Sequence, residues 1–197
     1  MQSAPQMTRR MLRARSAAAQ AVVAVRLDLP LESADIYLRV RPARWGQLML
    51  SGATATFQKG FLQQCIGALP DAGAAERLTS FAAVPGALCA AAMMDQRRPE
   101  EALGHQLAFR QMYLVARALD IGWTAEPAAR AWVKDRFLEA VSLLIVDGQS
   151  AWNSVANALQ ERATLSGGQV RHLIQASDEE QGLTILDGTK VGIRAAR

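Results

Sequence analysis

Small apolar residues recur at helical spacing along most of this chain of 197 residues. The first such stretch, at about residues 6–28, has one apolar and one polar face at the 3.6-residue period of an amphipathic helix, and Pro30 ends it. Aromatic residues make up only 6% of the sequence, while alanine is abundant. This mixture favours closely packed helices over a pair of stacked sheets. The sequence therefore predicts a mainly α protein built as a single helical domain.

Six further helices follow from the same periodicity and from helix-end signals. They are expected at about residues 47–69, from Pro70-Asp71 with an interruption at Pro85-Gly86, from about 97 to just before Gly122, at 126–146 and 150–162, and after Ser166 as N-cap. A short strand is expected after the first helix, at Ala34–Val40. Two β-type runs flank Asp187-Gly188, a pair that favours a type I′ hairpin turn. We place the helical domain at residues 1–176 and a C-terminal hairpin or partly ordered tail at 177–197.

The net charge of +4 is unevenly distributed, because residues 1–60 hold nine basic and three acidic side chains. The densest basic cluster is formed by Arg9, Arg10, Arg13 and Arg15. Such a cluster either contacts nucleic acid or another anionic surface, or is a solvated helix face. A second basic stretch joins an aromatic residue to three arginines: Arg39, Arg41, Arg44 and Trp45. It is either an interaction surface or a capped strand edge.

The segment Leu165–Gln169 reads LSGGQ, the signature sequence of ABC-type ATPases. Such an ATPase also needs a G-x-x-x-x-G-K-[ST] loop that cradles phosphates, and the sequence contains none. We therefore interpret Ser166 as the N-cap of the last helix and the two glycines as residues that allow the bend.

A different resemblance extends over roughly residues 10–176. The segment RSAAAQAVVAVRLDLPLESADI, residues 15–36, resembles the first motif of FtsH-type zinc metallopeptidases, whose common form is close to HEAGHAVVALRLGLPVESVSI. LMLSGATAT, residues 48–56, resembles that family's AGPAAE stretch. The segment at residues 151–174 resembles its closing segment, at Trp152, Val155, Ala156, Ala158, Leu159, Leu165, Gly167 and Val170.

The resemblance does not extend to the catalytic groups. In H-E-x-x-H, two histidines one helical turn apart bind zinc, and the glutamate activates the bound water. Ser16 and Gln20 stand at the histidine positions, and Ala17 stands at the glutamate position. A third, acidic ligand cannot be placed, because no Asp or Glu lies between Glu76 and Asp95. The resemblance thus implies a catalytically inactive peptidase-like domain without the family's ATPase module, and we predict no catalytic residue, metal or cofactor.

A site built elsewhere would have to use the two histidines or the two cysteines. His105 follows Glu101 by four residues, and His172 lies on the last predicted helix. Neither belongs to a close-spaced pair of metal ligands. Cys65 and Cys89 lie in apolar helical stretches and are expected to be buried in a reducing compartment.

Three functional hypotheses follow. The first is a peptidase-like protein that binds a protein partner or a second copy as a scaffold or regulator, through the helix face from Arg9 to Gln20 and the segment Arg39–Trp45. The second is a metal-dependent hydrolase with a rebuilt site at His105 or His172. The third is a nucleic-acid-associated protein that uses the N-terminal arginines. We expect a cytoplasmic protein, since no apolar run reaches the roughly 20 residues of a membrane span.

Overall fold

The computed structural model describes residues 9–36, 53–95, 103–122, 124, 126–146, 148–184 and 192–193. These residues form a mainly helical fold with a small antiparallel sheet, so the predicted fold class is confirmed. The helices are α1 Arg9–Arg26, α2 Phe61–Gly67, α3 Ala72–Met94, α4 Leu103–Ala118, α5 Pro127–Ile145, α6 Gln149–Arg162 and α7 Gly167–Glu180. The strands are β1 Leu31–Ile36, β2 Ala53–Phe57, β3 Thr164–Ser166, β4 Leu183–Thr184 and β5 Gly192–Ile193.

Helix α1 forms the centre of the fold. It packs against α3 on one side and α6 on another, and it also contacts β1, β2, α5 and α7. Every residue from Ser16 to Ala24 is buried. Because most of these residues are alanine or valine, neighbouring backbones can approach closely on every side of the helix.

The three-stranded sheet has the order β2-β1-β3, and both pairings are antiparallel. Strand β1 begins three residues before the predicted start at Ala34, and the predicted residues 37–40 lie outside the described part. The sheet places Ala34 opposite both Ala55 and Leu165, all three of which are buried. It thereby joins the end of α1 to the start of α7.

The segment Ala53–Phe57 corrects the prediction of a helix at residues 47–69. It forms strand β2, and the helical part is confined to α2, which begins after Gly60 at φ 85°. Ala55 and Phe57 are buried while Thr56 between them is less so, which is the two-residue period of a strand. Small residues fit either period, and pairing with β1 decides between them.

Helix α3 corrects a second prediction, because it continues through Pro85-Gly86 without interruption. Proline removes one intrahelical hydrogen bond, yet residues 81–92 are all buried and α3 packs against both α4 and α5. Tertiary packing therefore outweighs the local break. The predicted start is confirmed: the carboxylate of Asp71 accepts a hydrogen bond from the Ala74 backbone N–H at 2.9 Å.

By length and composition α3 is also the one helix of the described residues that could cross a membrane. However, 72% of its most apolar window is buried within the fold. Other helices surround it, as they would the core helix of a globular domain.

The remaining predicted helices agree with the structure to within a residue at the ends of α5 and α6. Helix α4 is described from Leu103, and the predicted residues 97–102 lie outside the described part. In the tail, β4 pairs with β5 in antiparallel fashion, whereas the predicted turn at Asp187-Gly188 also lies outside it. Helix α7 extends to Glu180, four residues past the predicted domain boundary at 176.

Candidate functional site

The three degenerate motif positions lie inside the core. Ser16, Ala17 and Gln20 are 2%, 0% and 0% exposed. The predicted contact face from Arg9 to Gln20 is therefore wrong in its second half, because neither Ser16 nor Gln20 can reach a partner. The polar residues of this half of α1 are surrounded by α3, α6 and the sheet rather than by solvent.

Gln20 is a fully buried polar side chain of α1 whose hydrogen-bonding capacity is only partly used. Its Nε2 donates a hydrogen bond of 3.3 Å to the Ser16 carbonyl oxygen, while its Oε1 is buried and has no hydrogen-bond partner among the described residues. A buried amide without its full set of partners destabilises the fold relative to an apolar residue of the same size. An amide oxygen is also a poor zinc ligand in comparison with imidazole, thiolate or carboxylate.

The carboxylates that approach α1 are held by arginines of the same helix. Arg15 Nε lies 2.6 Å from Asp95 Oδ1 at the end of α3, and the Asp95 side chain is only 1% exposed. At the other end of α1, Arg26 forms an ion pair with the buried Asp178 of α7. Within the described ranges, no three His, Cys, Asp or Glu side chains come together as a metal-binding group.

Arg15 belongs to the fold and not to a free basic surface. Its NH1 donates a hydrogen bond to Asn153 Oδ1 at 2.9 Å, and its guanidinium lies over the ring of Trp152. Trp152, one of the residues that carry the family resemblance, is completely buried. The sequence offered no signal for this network, since the partners of Arg15 lie 80 or more residues from it along the chain.

The rest of the predicted arginine surface is only partly described. Arg9 and Arg10 are exposed at the start of α1, and Arg13 is half-buried. Arg39, Arg41, Arg44 and Trp45 lie outside the described part. The structure therefore leaves Arg9 and Arg10 as the accessible charges of the predicted N-terminal cluster.

Among the residues considered for a rebuilt site, those whose side chains the structure describes do not form a metal-binding group. His172 is exposed on α7; the backbone of His105 lies in the first turn of α4, and its side chain lies outside the described part. Cys65 and Cys89 are buried free cysteines, as expected. Burial raises the pKa of the Cys89 thiol to about 12, and it also raises the pKa of Cys65, with Arg77 opposing the shift. Neither thiol therefore ionises readily to the thiolate that a nucleophile or a metal ligand requires.

The LSGGQ segment is a helix start, as predicted. Ser166 Oγ accepts a hydrogen bond from the Gln169 backbone N–H at 3.3 Å, and Gln169 Oε1 accepts one from the Ser166 N–H at 2.9 Å. This is a reciprocal capping box. The first glycine has a steric role, because a Cβ on Gly167 would lie 2.0 Å from the Leu31 carbonyl oxygen.

An exposed apolar surface on α4 and α5 was not predicted from the sequence. The exposed large hydrophobic residues of the described part are concentrated on and just after these two helices: Leu107, Phe109, Leu114, Leu138, Ile145 and Val146, with Ile66 and Met93 elsewhere. Phe109 and Phe137 join the helices, with ring centroids 6.4 Å apart. Concentrated exposed apolar area is typical of protein-binding surfaces.

The chain matches no protein-family model, and no curated protein matches it at a significant level.

Proposed function

We propose that this chain is a non-catalytic relative of the FtsH-type peptidase domain that acts by binding another protein or a second copy of itself. The observation that carries the proposal is the burial of Ser16, Ala17 and Gln20. Hydrolysis at these positions would need a zinc ligand set, a general base and access for a substrate. Ser, Ala and Gln side chains packed in the core meet none of these requirements.

The arrangement of the apolar residues that carry the resemblance supports the relationship to the peptidase scaffold. The residues of the first motif lie on α1 and β1, and those of the closing segment lie on α6, β3 and α7. These elements contact one another around α1. Trp152, Val155 and Leu165 are all buried there, so the two distant blocks of the resemblance form one core.

Two surfaces support a binding role. One is the apolar surface of α4 and α5, where Leu114 is 55% and Leu138 is 48% exposed. The other is the start of α1, where Arg9 and Arg10 are exposed. Exposed apolar side chains supply binding free energy by leaving water, and peripheral arginines steer the encounter with an acidic partner. We place this activity in the cytoplasm, because two buried free cysteines suit a reducing compartment.

Zinc content and hydrolysis test the catalytic half of the proposal. We expect the natively purified chain to contain much less than one zinc per chain and to hydrolyse unfolded casein no faster with added zinc than with a chelator. About one zinc per chain, with chelator-sensitive hydrolysis that is lost in His172→Ala or His105→Ala, would instead assign the rebuilt metal-dependent site.

Self-association and partner capture test the binding half. We expect a complex, either of two copies in sedimentation or with a protein captured from cytoplasm, that is lost in the double variant Leu107→Lys with Leu114→Lys and kept in Arg171→Ala on α7. If the complex is unchanged by the first pair, α4 is not the surface. Binding to duplex DNA that falls steeply with salt, and that is lost when Arg9, Arg10 and Arg13 are changed to Glu, would assign the nucleic-acid role.

A further inference from the structure

A cleft of about 530 Å³ lies away from the degenerate motif, between the α1–β1 turn, the β2–α2 turn and the first half of α3. Its apolar floor includes Leu29 and Phe61, which are both almost completely buried. Four charged side chains line its rim: Asp28, Lys59, Glu76 and Arg77. A volume of this size falls within the range of sites that hold small ligands.

The charges at the rim are balanced and unpaired. Two are positive and two are negative, all four residues are exposed, and none of them forms an ion pair in the part of the chain that the structure describes. A ligand that carries charges of one sign, such as a nucleotide or a phosphate, would meet repulsion from Asp28 and Glu76. A ligand that carries both signs is attracted by both pairs.

Contacts within the protein hold the walls of the cleft in place. The Gln58 N–H donates a hydrogen bond to the Pro30 carbonyl oxygen at 3.0 Å, which joins the two turns. Phe61 packs against Phe57 and Phe81, with ring centroids 6.0 and 6.4 Å apart. A site that is already ordered loses less conformational entropy on binding.

Two carboxamides complete the lining, those of Gln58 and Gln64. Each can donate and accept hydrogen bonds, as the backbone of a peptide requires. We propose that this cleft binds a short peptide segment in which a basic and an acidic side chain flank an apolar one. The apolar side chain would contact Leu29 and Phe61, the acidic group would face Lys59 and Arg77, and the basic group would face Asp28 and Glu76. This site does not depend on the relationship to peptidases.

The test is a titration of the 15N-labelled chain with the N-acetylated, C-amidated peptide Ala-Lys-Leu-Glu-Ala, followed by amide chemical shifts. We expect shifts at residues 27–29, 58–61 and 76–80. Because two exposed charge pairs with the peptide would be lost, Lys59→Ala with Arg77→Ala should weaken binding about twofold to thirtyfold. Asp28→Asn with Glu76→Gln should weaken it similarly, and asparagine tolerates the left-handed backbone of residue 28, at φ 51°.

Matched controls separate the cleft from general electrostatics. Lys134→Ala with Arg171→Ala also removes two exposed cations, on α5 and α7, and should leave the affinity unchanged. The peptide Ala-Ala-Leu-Ala-Ala should bind more weakly than the charged one, and inorganic phosphate should not compete. Equal affinities for the cleft and control variants, competition by phosphate, or an absence of shifts around the cleft would each overturn the proposal.

Discussion

The guanidinium carbon of Arg15 lies 3.8 Å from the ring centre of Trp152, and the indole Nε1 of Trp152 donates a hydrogen bond of 2.7 Å to the Arg15 carbonyl oxygen. The Trp152 side chain thus contacts both the side chain and the backbone of Arg15. Because Arg15 also pairs with Asp95, a single side chain connects α1, α6 and the end of α3. These contacts hold α6 and the end of α3 against α1, which is a structural role.

Replacing Arg15 should therefore destabilise the protein far more than replacing its neighbours in the basic cluster. Arg15→Ala leaves the almost fully buried Asp95 carboxylate without its arginine and removes the contact with Trp152, for an expected loss of about 2–4 kcal/mol. Arg10→Ala removes an exposed charge and should change stability by less than about 0.5 kcal/mol. Urea unfolding of both variants measures the difference. Equal midpoints would mean that the network adds nothing to stability.

The two glycines of LSGGQ should respond in opposite directions to alanine. A Cβ at Gly167 would meet the Leu31 backbone oxygen at 2.0 Å, whereas at Gly168 the nearest atom is Ser166 Oγ at 3.9 Å. Gly167→Ala must displace β1 or α7, with an expected loss of about 2–3 kcal/mol. In a chain of this length that lowers the melting temperature by about 4–12 °C.

Gly168→Ala is the matched control for that displacement. The same methyl group there makes only an ordinary van der Waals contact, on the second residue of the helix, so the melting temperature should stay the same or rise slightly. A loss in Gly168→Ala as large as in Gly167→Ala would show that the segment needs glycine for backbone freedom and not for close approach.

The helical periodicity was sufficient to predict most of the fold. The bounds of α5 and α6, the Asp71 start of α3 and the Ser166 cap all depend on local signals, and the structure agrees with each. The strand β2 and the continuity of α3 at Pro85 were not predictable in this way. Both depend on residues distant in sequence: β2 on pairing with β1, and Pro85 on the helices that cover α3.

The candidate sites were harder to predict from the sequence than the fold was. Ser16 and Gln20 were assigned to an exposed polar face because they are polar. The structure buries both, because α3, α6 and the sheet pack around α1, and these elements come from distant parts of the sequence. Arg15 was grouped with Arg9 and Arg10 by proximity in sequence, although its partners come from α3 and α6. The mixed-charge cleft also draws its residues from three separate segments.

Gln20 should be replaceable by an apolar residue without loss. Its Oε1 has no partner among the described residues, and the hydrogen bond from its Nε2 to the Ser16 carbonyl oxygen is long, at 3.3 Å. Gln20→Met keeps the approximate volume and removes a buried amide, so we expect a gain of about 0.5–2 kcal/mol in urea unfolding. A loss of more than about 1 kcal/mol would show instead that the amide oxygen is satisfied within the native protein.

Gln20→Glu is the informative counterpart, because it has the same shape with an ionisable group. Burial raises the pKa of a carboxyl above the ordinary value of about 4.3. The variant should therefore approach wild-type stability below pH 4 and lose stability progressively as the pH rises above that value. A pH dependence identical to that of the wild type would mean that water reaches position 20.

The Cys89 thiol should make the stability of the protein fall at alkaline pH. Burial raises its pKa from 9.0 to about 12, so the thiol ionises in the unfolded chain well before it ionises in the folded one. The stability linked to the neutral thiol is complete below pH 9 and is lost as the pH rises from 9 towards 12, by up to about 1.4 kcal/mol per pH unit. Between pH 8 and pH 10 the wild type should therefore lose about 1–1.5 kcal/mol more than Cys89→Ala.

Cys65→Ala should show a smaller difference, because the charge of Arg77 opposes the shift at Cys65. Unfolding in urea at the two pH values measures all three proteins. If the wild type and Cys89→Ala lose the same free energy, the Cys89 thiol ionises as readily in the folded chain as in the unfolded one.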